Sequence, residues 1–207
     1  MAGRQLRYKK RKPLIVIGAE GEKNSSEYNY FRHFANRDLR IKFSTGGNTD
    51  PKGMLNNLLK YMDNEDIKSE DMCKAFLVFD TDLNAKRINE IKEIKQRCIN
   101  NKIEIITSAP TFEIWYIMHY RNDKLKFQTS KDVKRELHKI NGTYTESMDI
   151  YEKIKDSTDK ARKIARSLEL RIIKNNEDLL KANPHTSVYR ILDAIDEFNN
   201  LNSIVNK

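Results

Sequence analysis

Two cysteines, four prolines, seven glycines and one tryptophan are few for 207 residues. Cys73 and Cys98 have apolar neighbours and no CxxC spacing, which excludes a disulfide-stapled scaffold and a zinc knuckle. They read as reduced thiols of a cytoplasmic protein. So little proline and glycine excludes collagenous and linker-like chains. No apolar run approaches the roughly 20 residues of a membrane span. The basic start passes through one short apolar run to Glu20, which is not a secretory leader pattern. A cytoplasmic chain with no membrane segment is expected.

What the sequence has in quantity is charge. Charged residues make up 33% against 38% hydrophobic, and the mean hydropathy is -0.77. That describes an ionic surface over a modest core, in one large domain or one domain with an appendage. The formal net charge is +9. Arg4, Arg7, Lys9, Lys10, Arg11 and Lys12 supply +6 of it within twelve residues that hold no acid. Such an arm suits phosphate neutralisation, and equally suits plain solvation.

Short apolar runs alternate with helical patterns over the first 120 residues. Leu14–Ile17 closed by Gly18, Ile41–Ser44, Ala75–Phe79 and Ile103–Ile106 predict four strands. Tyr28, Tyr30, Phe31 and Phe34 behind a Ser25 or Ser26 cap predict a helix. So do Leu55, Leu58, Leu59 and Met62, and the stripe Ile88, Ile91, Ile94 and Ile99. Strands alternating with helices imply right-handed crossovers and a largely parallel, two-side-covered sheet. After Ile114–His119 the texture turns to polar helices, interrupted at Pro184. The expected organisation is a basic arm at 1–12, an α/β core at 13–120 with a mostly parallel four-stranded sheet, and a helical extension at 121–207 packed on it.

In open parallel sheets functional groups gather at the carboxyl ends of strands. Glu20 and Glu22 follow the first strand, Asp80 and Asp82 end the third, and Glu113 follows the fourth. Any one of these acids suits a turn or a helix cap. Several at consecutive strand ends point instead to a shared divalent cation, for which carboxylate oxygens are the natural ligands.

The succession Ile15-Val16-Ile17-Gly18-Ala19-Glu20-Gly21-Glu22-Lys23, then Tyr30-Phe31, resembles the opening of the RloB-like proteins, a family linked to bacterial restriction and phage defence. Further pieces agree in order: Val78-Phe79-Asp80-Thr81-Asp82, Ser108-Ala109-Pro110-Thr111-Phe112-Glu113-Ile114-Trp115 with His119, and Asn183-Pro184-His185-Thr186. The Glu-Gly and Asp-x-Asp elements are also those of the Toprim fold. The resemblance implies a Toprim-like Rossmannoid core in which Glu20, Asp80 and Asp82 hold Mg²⁺ or Mn²⁺. It implies catalytic roles for these three with Glu113 and His119, and accessory roles for Glu22, Asn183 and His185. The activity implied is metal-dependent cleavage of RNA, such as tRNA, or of DNA, controlled by an ABC/SMC-like ATPase partner. Three positions depart from the family pattern: Ala19 and Thr111 stand where cysteine is usual, and Asn24 where threonine is usual. None is a proposed ligand.

Lys23, at the start of the first helix, is the expected phosphate contact beside Lys9, Lys10, Arg11 and Lys12. Trp115, Tyr116 and Met118 read as core, and His119 reads better as a packed histidine than as an acid–base. No dinucleotide fingerprint, Walker loop or G-x-S-x-G elbow is present. The main alternative is a non-catalytic nucleic-acid-binding or docking subunit of an ATPase complex. A nucleotide hydrolase is the second, and self-association is left open.

Overall fold

The computed structural model describes residues 12–21, 23–44, 46–67, 72–121 and 126–205. Lys9, Lys10, Arg11 and Glu22 fall outside the described residues. β1 (Leu14–Gly18), β2 (Arg40–Ser44), β3 (Cys73–Asp80) and β4 (Ile103–Ala109) form parallel pairs in the order β2-β1-β3-β4. β1 is buried along its whole length and β3 over its centre, as expected for β-branched and aromatic runs covered on both faces. β2, at the edge, is more exposed.

A fifth strand, β5 (His185–Thr186), pairs antiparallel with β4. This corrects the four-strand expectation. Two residues carry no periodic signal, and the pairing rests on tertiary contacts. Thr186 meets Ser108 through their hydroxyls at 2.9 Å, and Ser187 N donates to Thr107 O at 2.9 Å.

α1 (Ser26–Phe31), α2 (Pro51–Asn64) and α3 (Ala85–Asn100) each begin at a side-chain cap, of which the one at Ser25 was expected. Ser25, Asp50 and Asn84 accept from Tyr28 N, Gly53 N and Lys86 N respectively. α2 and α3 cover one face of the sheet, packing Leu55, Leu58, Ile91 and Ile94 on Val16, Leu77 and Phe79. The other face carries α1 and α4 (Glu113–Tyr120), then α5 (Ser130–Asn141), α6 (Tyr151–Ile154), α7 (Thr158–Lys174) and α8 (Tyr189–Val205). Residues from β1, α4, α7 and α8 lie in one continuous core cluster. Trp115, Tyr116 and Met118 are buried in it, and Tyr30 makes ring contacts with Trp115 and Tyr116.

Candidate functional site

The carboxyl ends of β1, β3 and β4 open into one cleft of about 280 Å³. Its walls bring together Glu20, Asp80, Asp82 and Glu113 from the expected set. Glu27, Glu146 and Lys134, which the sequence reading passed over, line it as well. Glu27 sits in the first turn of α1, and Lys134 in the second turn of α5, beside its buried stripe. Neither stands at a strand end, where a parallel sheet gathers its functional groups.

Local backbone sets the two aspartates. β3 delivers Asp80, which lies beside Ser108 of β4 in register. The chain then turns under backbone control: Thr81 N donates to Ser108 O and Asp82 N to Pro110 O, both at 2.9 Å. Asp82 and Leu83 adopt φ of 48° and 54°. This left-handed region is open to aspartate and costly for leucine, so the turn is held against its own preference. Gly21 has a different role: a Cβ there would stand 2.0 Å from the Ser25 Cβ, so the turn after β1 closes onto the α1 cap only with glycine.

Asp80 is surrounded by like charge. Burial, and then the carboxylates of Glu27, Glu113 and Asp82, hold its pKa well above the ordinary aspartate value against the Thr111 hydrogen bond. Burial likewise raises Glu27. Thr111 Oγ1 lies 2.7 Å from both Asp80 Oδ2 and Glu113 Oε2. A hydroxyl has one proton to donate, so it cannot satisfy two ionised carboxylates at once. Asp80 Oδ1 is shut off from solvent with no hydrogen-bond partner among the described residues. Glu113 is more firmly held, its Oε1 also taking hydrogen bonds from Ser26 at 2.8 Å and Tyr144 at 2.9 Å.

An all-oxygen acidic cleft with one orphaned carboxylate oxygen fits a hard divalent cation in donor type and charge. Two observations bear on how complete it is. Glu20 is ion-paired with Arg87. Among the described residues, no three His, Cys, Asp or Glu side chains stand in a ready ligand geometry. The acids therefore share a cleft without already forming a cage.

The remaining expected residues lie elsewhere. His119 is buried among aromatic rings, its centroid 4.8 Å from that of Trp115, and does not line the cleft. His185 lines a separate cavity of about 540 Å³ with Lys92, Asp178 and Arg190. Lys23 and Lys12 are exposed.

Asn183 reaches the site indirectly. Its Nδ2 donates to Phe127 O at 2.5 Å, and its Oδ1 accepts from Phe127 N at 3.4 Å, which pins the segment leading into α5. Asn183→Ala is expected to cost about 1–3 kcal/mol by leaving these two half-buried backbone groups unpaired. Urea unfolding measures it.

No curated protein and no solved structure matches this chain. The family model for RloB-like proteins matches residues 15–195, a span that takes in every motif from the Glu-Gly turn to the Asn-Pro segment. The chain belongs to the RloB-like family.

Proposed function

We propose that this chain is a Toprim-type, metal-dependent nuclease that cleaves phosphodiesters of RNA or DNA as an effector of bacterial antiphage defence. The observation that carries the reading is Asp80: a buried carboxylate facing three others, with one oxygen left without a partner among the described residues. An unneutralised cluster of this kind is costly, and a divalent cation removes the cost. Asp80 and Asp82, with Glu20 once it leaves Arg87, would hold Mg²⁺ or Mn²⁺. When bound, the ion supplies Lewis-acid stabilisation of phosphoryl charge and eases deprotonation of water.

The protein's own part is to orient and to exclude. The pinned 80–82 turn fixes the two aspartates relative to β4. Glu113, anchored by Ser26, Tyr144 and Thr111, stays at a fixed place beside Asp80, suited to accepting a proton from the attacking water. His119 takes no part, since its ring is enclosed in the core. The antiphage setting and control by an ATPase partner are carried over from the family resemblance.

Purified full-length protein incubated with labelled RNA and DNA, with and without the partner ATPase, is expected to yield fragments in Mg²⁺ or Mn²⁺ and none in chelator. Absence of metal-dependent cleavage under every combination would replace the nuclease with a docking subunit. Turnover of free nucleoside triphosphate without polymer cleavage would replace it with a nucleotide hydrolase.

A further inference from the structure

A cleft walled by six carboxylates repels the polyanion it is proposed to cut, even after one divalent ion is bound. One basic side chain lines that cleft among the described residues, and it is Lys134. Lys134 stands on α5 one helical turn after Ser130, so the two share a face. Both line the cleft, and Ser130 Oγ donates to Asp82 Oδ1 at 2.5 Å. On the same side of α5, Val133 and Leu137 are buried in the core and seat the helix. A capping box of Thr129 and Asp132 fixes its first turn, and Asn183 pins the segment before it. α5 is therefore a fixed wall that carries, among the described residues, the one basic side chain of the cleft.

Lys134 is ion-paired with Glu146. The Glu146 side chain is 62% exposed, at the cleft mouth, where an ion pair is weak and readily exchanged. An ammonium has three donors, so the pairing leaves others to offer.

From this arrangement we propose that Lys134 is the residue that binds the substrate's phosphodiester, holding one non-bridging oxygen beside the turn of α5 whose Ser130 touches Asp82. The proposal rests on the nuclease reading for its substrate and names a contact that reading lacks. It also gives Ser130 a positioning part, through Asp82.

The test uses full-length Lys134→Met and Lys134→Arg, with thermal melting to verify that both fold. Binding of labelled 20-nucleotide RNA and DNA is measured against salt, Mn²⁺ uptake by calorimetry, and cleavage as kcat and KM. Lys134→Met is expected to weaken binding of both polymers about 10-fold and to reduce the slope of log K against log[salt] by about one. Mn²⁺ uptake should become tighter, because a cation has been removed from beside the acids. A lysine that only packed α5 would not produce that tightening. Lys134→Arg should keep the wild-type slope. An unchanged slope and unchanged KM in Lys134→Met would overturn the phosphate role while leaving metal-dependent cleavage by the wild type untouched. Wild-type protein that takes up no Mn²⁺ and cuts neither polymer would sink the nuclease reading itself, and the salt slope would still decide whether Lys134 meets phosphate.

Discussion

Asp80→Asn is expected to lower polynucleotide cleavage by about 10²–10³-fold, the scale on which loss of one preorganised electrostatic group reduces turnover, while leaving the metal-free protein at least as stable as wild type at pH 7.5. The second half follows from the sign of the aspartate's pKa. Its native value lies above the unfolded one, because burial and three neighbouring carboxylates favour the protonated form. The native state then binds a proton more tightly than the unfolded chain. Stability falls as pH rises from the unfolded value through the native one. At neutral pH the ionised side chain is a cost, and the neutral amide removes it. The amide N–H also donates to Thr111 Oγ1, which frees the Thr111 hydroxyl to donate to Glu113, so the bridge survives. Thermal melting without metal, and with Mn²⁺ added, separates the two effects. Mn²⁺ at 100 times its Kd should stabilise wild type by about 2.7 kcal/mol and stabilise the variant far less. Full cleavage by Asp80→Asn would exclude the aspartate from the chemistry.

The same residue marks what was legible in the sequence. Asp80 and Asp82 stand where an apolar β-branched and aromatic run stops, so strand periodicity alone located them at a carboxyl end. Glu20 follows β1 in the same way, and parallel pairing of β1 with β3 brings the two ends side by side. Glu27, Lys134 and Glu146 offered no such signal. They lie on helices or in a loop, and only tertiary packing, such as that of α5 on α4, brings them to the cleft. The pairing of Glu20 with Arg87 was also hidden, because it joins residues 67 positions apart in a geometry set by the start of α3. His119 and His185 both stand within motifs: His119 is buried among aromatic rings, as the packed reading of the sequence has it, and His185 is buried at the edge of a separate cavity. β5 escaped because a two-residue strand has no period to detect.

Those two histidines carry the second large effect: between pH 6.5 and pH 4 their protonation is expected to remove about 6 kcal/mol of stability. His119 Nδ1 lies 2.8 Å from Trp115 O. A carbonyl only accepts, so Nδ1 carries the proton, and Nε2 is buried with no hydrogen-bond partner among the described residues. Protonating Nε2 would place a charge in an aromatic pocket, and burial accordingly lowers the pKa to about 4. His185 is similarly enclosed, with Nδ1 unpartnered, and burial lowers it to about 4 as well. For a base depressed in the native state, the unfolded chain takes up the proton first. Stability is intact above the unfolded pKa of 6.5 and drains away as pH falls toward the native value. A gap of that size corresponds to about 3 kcal/mol per histidine, against total stabilities of about 5–15 kcal/mol. Asp80 and Glu27 act with the opposite sign in acid, so the cleanest measurement is urea unfolding against pH in the Asp80→Asn background. There His119→Phe, which keeps an aromatic ring beside Trp115, should halve the slope between pH 6.5 and 4. A flat stability curve across that window, or a His119 ring proton titrating near 6.5, would show that the imidazole is reached by water and would reopen His119 as an acid–base group.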